Sequence, residues 1–150
     1  MSVFAENKKA FFDYEILDKF ESGIVLFGFE VKAARAGRAD LTESYIKIRS
    51  DNRAVLINAK IYPLQPLNVY QDYKINRTRQ LLLAKKEIKN LLGKIQEKRL
   101  TAVPLKLYNK KNLIKLEFGL AKSKRRFEKR EQLRKKAVER EIERTLTSKP

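Results

Sequence analysis

Short apolar segments separated by turns recur through the first 120 residues, and they limit the fold more than any other feature of the chain. Segments of this length bounded by turn residues are typical of antiparallel strands. Six strands are predicted, over residues 13–20, 24–27, 44–49, 53–61, 101–108 and 113–120. Turns at Glu21-Ser22-Gly23, Asp51-Asn52 and residues 109–112 would join these strands in pairs.

Two helices are predicted between the strands. Glu30–Arg38 is rich in Ala and Arg, which favour helix, and Gly37 stands where a C-terminal cap would end it. Thr78–Lys98 has Leu and Ile at mostly helical spacing, with Thr78 as its predicted N-cap. Residues 62–76 predict a long loop. Six short strands with one short and one long helix predict a mainly β fold, a small antiparallel OB-like barrel.

A large excess of positive charge limits the kinds of partner. The 150 residues include 35 Lys and Arg but 18 Asp and Glu, a net charge of +17. This excess favours a polyanion, either nucleic acid or an acidic membrane face. The chain has no cysteine and no histidine, which removes thiolate and histidine metal sites and any Ser-His-Asp triad. We therefore expect a binding protein and not an enzyme, with no catalytic residues, cofactor or metal.

The same sequence gives an expectation about location. No apolar run approaches the roughly 20 residues that a membrane span needs. The first residues lack the pattern of a signal peptide. We therefore expect a cytoplasmic protein without a membrane partner.

The last 30 residues differ in composition from the rest. Residues 121–150 hold 12 Lys and Arg against 5 Asp and Glu, which makes them about three times as basic per residue as the preceding part. Their apolar side chains are too sparse to anchor a helix on the barrel. The prediction is a barrel over residues 1–120 and a basic tail over residues 121–150, disordered when free and helical when bound to a polyanion.

Two basic groups precede the tail. Lys32, Arg35 and Arg38 are spaced so that all three can face one side of the short helix. Arg77 and Arg79 open the predicted long helix, where guanidinium groups and helix amides can share phosphates. On composition alone, an ordinary solvated surface explains either group equally well.

Six sequence strings, taken in order, are specific enough to resemble a known family. They are NKKAFFDY (7–14), FESGIVLFGFEVKAARAGRADL (20–41), NRTRQLLLAKKEI (76–88), VPLKLY (103–108), GLAKSKRRFEKRE (119–131) and EREIER (139–144). Together they resemble small protein B, the SsrA (tmRNA)-binding protein family of bacteria. The resemblance covers the chain from about Asn7 to Arg144.

The resemblance implies a fold and a process. It implies an OB-fold barrel that binds the tRNA-like domain of transfer-messenger RNA and brings it to stalled ribosomes. The C-terminal tail would occupy the decoding centre beside small-subunit RNA and reach into the empty mRNA channel. This process is trans-translation, which releases the ribosome and tags the incomplete peptide. A monomer is expected.

The resemblance and the charge pattern together predict two sets of site residues. The predicted tmRNA-binding residues are Asn7, Lys8, Glu21, Lys32, Arg35, Arg38, Arg77, Arg79, Leu82 and Lys115. The predicted decoding-centre residues of the tail are Lys122, Lys124, Arg125, Phe127, Glu128, Lys129 and Arg130. A carboxylate near phosphates is costly unless it accepts a hydrogen bond, so Glu21 is expected to orient a specific contact.

Three positions depart from the family pattern. Phe12 stands where the family usually has His, Ser123 replaces the second Gly of GLAKGKK, and Glu128 replaces Asp. Two other functions stay open at this point. One is a general basic RNA-binding or ribosomal protein without specificity for tmRNA. The other is a metal-dependent nuclease using Glu21 and Glu30, which lack further acidic neighbours in the sequence.

Overall fold

The computed structural model describes residues 2–65, 71–124 and 126–147, without the side chains of residues 126–128, 143 and 145–147. These described residues form nine strands and four helices. The strands are β1 (Val3–Glu6), β2 (Tyr14–Ile24), β3 (Ala39–Asp40), β4 (Tyr45–Ile48), β5 (Ala54–Ile57), β6 (Lys60–Ile61), β7 (Arg79–Leu82), β8 (Thr101–Lys110) and β9 (Leu113–Ser123). The helices are α1 (Lys8–Asp13), α2 (Gly28–Arg35), α3 (Lys85–Lys98) and α4 (Arg126–Thr147).

The main sheet closes on itself. Its strands are paired in the order β8-β4-β5-β7-β2-β9, and β9 pairs again with β8. Strand β8 pairs with three neighbouring strands. Along the side away from β9, Ala102 pairs with β4, and Lys106–Tyr108 pair with β1. All of these pairings are antiparallel. The result is a mainly β barrel, as the sequence predicted.

The barrel interior is filled by alternate residues of the long strands. Leu56, Leu116, Phe118 and Leu120 have no exposed surface. Helix α3 contributes Leu91 to the same cluster. Helix α1 packs separately, through Ala10 against Val103 and Leu105 on the outer side of β8. Burial of these side chains provides the main stabilisation, at about 25 cal/mol for each Å² of apolar surface removed from water.

The first predicted hairpin is wrong. Residues 21–23 are not a turn, because β2 continues through them to Ile24 and pairs along its length with β9. Glu21 lies opposite Glu117, and Gly23 lies opposite Lys115. Ile24 ends this strand, and residues 25–27 lead into α2. The long partner strand overrides a local turn signal, because each added residue gains sheet hydrogen bonds.

The predicted long helix is wrong in its first third. Residues Arg79–Leu82 form β7, and α3 begins only after its N-cap, Ala84. In β7 the side chains of Arg79 and Leu81 are buried, whereas Gln80 and Leu82 are exposed. This alternation is the signature of a strand with one face in the core. A run of three leucines fits the side-chain spacing of a helix as well as that of a strand. Pairing with β2 and β5 makes this segment a strand.

Other predicted elements are confirmed. Helix α2 ends close to Gly37, which has a positive φ of 79°. The hairpins β4–β5 and β8–β9 form as expected, and Asn112 adopts the left-handed conformation in the second turn. The described parts of residues 62–76 contain neither helix nor strand. The sequence patterns missed β1, α1 and β3, and the strand predicted over residues 53–61 is divided into β5 and β6. No helix among the described residues is both long and apolar enough to cross a bilayer.

The barrel extends slightly past its predicted boundary. Strand β9 runs to Ser123, and Ala121 has no exposed surface. Helix α4 follows almost at once, over Arg126–Thr147. Tail residues therefore begin at about 124. The change from disorder to helix when the tail binds RNA stays a prediction.

Candidate nucleic-acid interface

Helix α2 is attached to the barrel by a buried ionic cluster. Glu30 has no exposed surface and accepts hydrogen bonds from Arg77, Arg79 and Tyr73. Its Oε1 also accepts from the backbone N–H of Phe27 at 2.8 Å, which is half of a capping box at the start of the helix. Burial acts to raise the pKa of Glu30, but the hydrogen bonds from Arg77 and Phe27 and the charge of Arg79 leave that pKa below its usual value.

Arg79 has a structural role in place of the predicted RNA contact. It has no exposed surface. Its guanidinium donates to Glu30 Oε2 at 2.7 and 2.9 Å, and to the carbonyls of Ala59 and Ile75 at 2.6 and 3.0 Å. Its remaining N–H donates to the carbonyl of Arg77 at 3.0 Å, so none of the five N–H groups is left for a phosphate. Arg77 differs, because its side chain is 23% exposed. It pairs with Glu30 and lies 4.0 Å from the centre of the Phe27 ring.

Asn7 is likewise structural. It is 3% exposed and is the N-cap of α1. Its side-chain oxygen accepts from the backbone N–H of Ala10 at 3.2 Å, and its side-chain nitrogen donates to the carbonyl of Pro104 at 2.9 Å. These bonds satisfy the helix end and attach it to β8. Asn7 therefore shapes the start of α1 and is buried, whereas the neighbouring Lys8 is exposed.

Three predicted RNA-binding residues from distant parts of the chain meet at one groove. We call it the Arg35 groove; it has a volume of about 310 Å³. Its walls include Gly23, Arg35, Leu82, Leu113 and Lys115. They come from β2, α2, β7 and the β8–β9 hairpin, so only the folded barrel brings them together. The groove combines two cations with exposed leucine side chains.

Arg35 is held at the rim by the hairpin turn. Its Nη1 lies 3.3 Å from Asn109 Oδ1, and its Nη2 lies 3.1 Å from the carbonyl of Asn112. The guanidinium carbon also lies 5.7 Å from the centre of the Phe4 ring. The planar guanidinium of Arg35 is held in place by these contacts and still has N–H donors that can bind a phosphate. The turn itself was predicted, but its contact with Arg35 was not, because more than 70 residues separate them in sequence.

Leu82 covers Gly23 and is itself half exposed. It has 56% of its surface accessible. A Cβ added at Gly23 would lie 3.2 Å from the Cβ and Cδ1 of Leu82, closer than ordinary contact. Glycine therefore lets Leu82 rest against β2 while presenting its other side to the groove. An apolar side chain that is supported on one side and exposed on the other can pack on a ribose or an unstacked base.

Glu21 lies on the outer face of β2, two residues before Gly23. Its carboxylate accepts hydrogen bonds from the hydroxyl of Tyr108 and from Lys110 Nζ, the latter at 3.2 Å. The Tyr108 bond is the largest cause that holds the pKa of Glu21 below its usual value. In turn, burial and this carboxylate raise the pKa of the Tyr108 hydroxyl. The carboxylate is thus ionised and fixed in direction. Sequence reasoning found Glu21 but not the two side chains that hold it.

Lys32 and Arg38 do not share the Arg35 groove. Both are exposed. Lys32 borders a separate depression with Gly28 and Phe29. Arg38 lies beyond the end of α2, where its backbone N–H donates to the carbonyl of Ala33. Of the three cations predicted to share one surface, Arg35 alone is among the residues that line the Arg35 groove.

The described tail cations are divided between contacts to the barrel and solvent. Lys124 Nζ donates to the carbonyl of Phe11 at 2.9 Å, and Lys129 Nζ lies 3.5 Å from Asp13 Oδ1. Lys122 and Arg130 are exposed. Arg125 and the side chains of Phe127 and Glu128 lie outside the described residues.

The residues of this site all lie within a match to a known protein family. A family model described as SmpB protein matches residues 4–148. The chain belongs to the SmpB family. The match includes every strand that forms the Arg35 groove as well as α4.

Curated proteins and a solved structure agree with this membership. An SsrA-binding protein of Rubrobacter xylanophilus is 47% identical over 147 residues, covering 97% of this chain and 96% of the relative. One from a Nitratiruptor species is 51% identical over 142 residues, covering 94% of both. A solved chain described as "tmRNA-SmpB: a journey to the center of the bacterial ribosome" is 43% identical, with a TM-score of 0.66, over 86% of this chain and 93% of that one.

The nuclease alternative gains no support from the described part of the chain. There, no three acidic side chains gather as a metal ion would require. Glu30 is enclosed by arginines, and Glu21 is bonded to Tyr108 and Lys110. Both carboxylates therefore already have protein partners.

Proposed function

We propose that this SmpB-family chain binds the tRNA-like domain of transfer-messenger RNA and acts with it in trans-translation on stalled ribosomes. The observation that carries the proposal is the convergence of Arg35, Leu82 and Lys115 on one groove. The sequence predicts all three as RNA contacts. The tmRNA and ribosome partners named for the 43% identical structure support the same conclusion.

The chemistry of the groove suits folded RNA. Arg35 and Lys115 provide cations for phosphates, which set position without reading sequence. Leu82 and Leu113 provide exposed apolar surface for a ribose or an unpaired base, with 56% and 60% of their surfaces accessible. Glu21 does not line the groove, but on the same strand as Gly23 it provides a fixed acceptor for a base edge or a 2′-hydroxyl. Such a site recognises shape and local chemistry and needs no catalytic group.

The proposal has further parts. The closed barrel is of OB-like type, and the protein acts as a monomeric binding factor in the cytoplasm and not as an enzyme. The proposed tmRNA contacts are Lys8, Glu21, Lys32, Arg35, Arg38, Arg77, Leu82 and Lys115. The proposed decoding-centre residues, beside small-subunit RNA, are Lys122, Lys124, Arg125, Phe127, Glu128, Lys129 and Arg130.

A competition experiment tests the central claim. The isolated tRNA-like domain of tmRNA should displace labelled tmRNA at moderate salt, where bulk tRNA does not. Arg35→Gln should weaken binding and reduce the slope of log affinity against log salt by roughly 0.7–0.9, one phosphate contact. Lys47→Gln, an exposed cation on β4 across the barrel, is the matched control and should change affinity little. Equal competition by bulk tRNA would instead indicate a general basic RNA-binding protein.

A further inference from the structure

A second groove adjoins the Arg35 groove on the outside of the barrel. We call it the hairpin–helix groove; it has a volume of about 430 Å³, and its walls include Arg53, Gln80, Leu82, Lys85 and Lys89. It lies between the β4–β5 turn, β7 and the first two turns of α3. Strand β7 is paired between β2 and β5, and the Arg35 groove includes residues of β2. Leu82 lines both grooves, which therefore meet at its side chain.

The α3 side of the hairpin–helix groove carries two lysines. Lys85 and Lys89 are four residues apart in α3, and both are exposed. At this spacing two side chains extend over the same helix face, and like charges there repel each other. Neither lysine has an ion-pair partner in the part of the chain that the structure describes. An anion bound in the groove would relieve this repulsion.

The hairpin side of the groove adds an arginine. Arg53 Nε lies 3.7 Å from Asp51 Oδ2, and 64% of the Arg53 side chain is exposed. This contact engages the inner nitrogen of the guanidinium, so its terminal N–H groups can bind a phosphate. Among the described residues that line the groove, Asp51 is the only acidic one. With Lys85 and Lys89 on the facing wall, the groove is positively charged.

We propose that the hairpin–helix groove binds the sugar-phosphate backbone of the RNA that occupies the Arg35 groove, with Arg53, Lys85 and Lys89 as its phosphate contacts. The RNA passes from one groove to the other across the side chain of Leu82. This assignment rests on the function proposed above. It extends the RNA-binding surface from β2, α2 and the β8–β9 hairpin to the β4–β5 turn and the start of α3.

A nucleic-acid strand fits the distribution of charge around Leu82. The cations lie on both sides of this side chain, with Arg35 and Lys115 in one groove and the lysines of α3 in the other. A small anion can reach only some of them, whereas a strand carries one charge at every phosphate. Phosphate contacts of this kind fix the position and direction of a strand without reading its sequence. Leu82 can then pack on a ribose or base at the crossing point.

Neutral substitutions test the two lysines. Lys85→Gln and Lys89→Gln should each weaken binding of the tRNA-like domain by roughly fivefold at about 0.1 M salt, and each should reduce the slope of log affinity against log salt by about 0.7–0.9. The matched control is Lys98→Gln, an exposed lysine about 20 Å from Lys85 at the other end of α3, at 1.5 Å for each residue. Slopes that stay at the parent value in both groove variants, while Arg35→Gln lowers it, would refute the second groove and leave the proposed function standing.

Removing the carboxylate of the groove should have the opposite effect. Asp51→Asn removes a charge that repels phosphate, and its amide oxygen can still accept from the backbone N–H of Arg53. Affinity for the tRNA-like domain should rise by roughly twofold. Asp18→Asn, which removes an exposed carboxylate of β2 outside both grooves, is the control for net charge. A role limited to stability cannot tighten binding, so an affinity no higher than that of the control would remove the β4–β5 turn from the interface.

Directed cleavage shows which RNA lies in the groove. Because the chain has no cysteine, an iron-chelate probe can be attached at Asn52→Cys beside the hairpin–helix groove, or at Leu113→Cys beside the Arg35 groove. In the complex with tmRNA, both probes should cut the tRNA-like domain, at segments that are close together in its folded structure. Cleavage from position 113 alone, or cleavage of ribosomal RNA but not tmRNA from position 52 in stalled ribosomes, would overturn the shared path. If neither position cuts tmRNA, the proposed function itself fails.

Discussion

Arg79 and Glu30 form an ion pair that lies wholly inside the protein, with Arg79 Nη2 2.7 Å from Glu30 Oε2. Neither side chain has exposed surface. The pair joins β7 of the barrel to α2, the helix that carries Arg35. Away from solvent, this attraction is screened little by salt. The position of the exposed cation Arg35 therefore depends on a second arginine that is itself buried.

Removing one member of this pair should destabilise the protein strongly. Arg79→Met should lower the free energy of unfolding by about 3–5 kcal/mol, because Glu30 then loses its fully buried cationic partner. Arg77→Met is the matched control, since its side chain reaches solvent, and it should cost about 1.5–3 kcal/mol, the value of a hydrogen bond to a charged group. Urea unfolding measures both. Equal losses would mean that burial does not distinguish the two arginines.

Glu30 should also make the free energy of unfolding depend on pH in the acid range. Its folded pKa lies below the usual 4.5, so its contribution to stability is complete above that value and is lost as the pH falls through the folded pKa. Between about pH 5 and pH 3 the parent should lose stability more steeply than Glu30→Gln, which cannot titrate. Urea unfolding across this range measures the difference. Parallel curves would show that the Glu30 pKa is not lowered by folding.

The strands that contain Arg79 and Glu21 could not be predicted from the local sequence. A basic string before three leucines predicted a helix start with exposed cations. The strand pairing of β7 turns Arg79 inward, toward a carboxylate 49 residues away. Likewise, a Glu-Ser-Gly string predicted a turn, but the long ladder with β9 makes it strand. The hairpins β4–β5 and β8–β9 were predictable because local turn chemistry and pairing agree there. Elsewhere in the barrel, the secondary structure is decided by pairing between strands that are distant in sequence.

Leu82→Ala should weaken tmRNA binding without destabilising the barrel. The side chain is 56% exposed, so the free energy of unfolding should change by no more than about 0.5 kcal/mol. Loss of its apolar contact with RNA should lower affinity by roughly fivefold, about 1 kcal/mol. The control is Leu17→Ala, which removes an exposed leucine of β2. If both variants bind tmRNA like the parent, Leu82 does not contact RNA.

Glu21→Gln should lower affinity for the tRNA-like domain, because the amide cannot present a fixed, charged acceptor to RNA. Tyr108→Phe keeps the carboxylate but removes the hydroxyl that orients it. It should therefore reduce affinity by less than Glu21→Gln, while its effect on stability stays small. Titration of each variant with labelled RNA gives the comparison. Unchanged affinity in Glu21→Gln would remove Glu21 from the interface.

Truncation should separate the two halves of the proposed function. The cut belongs after Lys124, because Ala121 is buried in the barrel and Ser123 still pairs with Tyr14. A chain ending at Lys124 keeps the whole Arg35 groove, so it should bind tmRNA with nearly the affinity of the full chain. It should fail to support peptide tagging, because three of the cations proposed for the decoding centre, Arg125, Lys129 and Arg130, are gone. Binding to tmRNA and tagging on stalled ribosomes are measured side by side. Loss of both activities would mean that the tail supplies ordinary affinity for RNA, and that the barrel alone is not the tmRNA-binding unit.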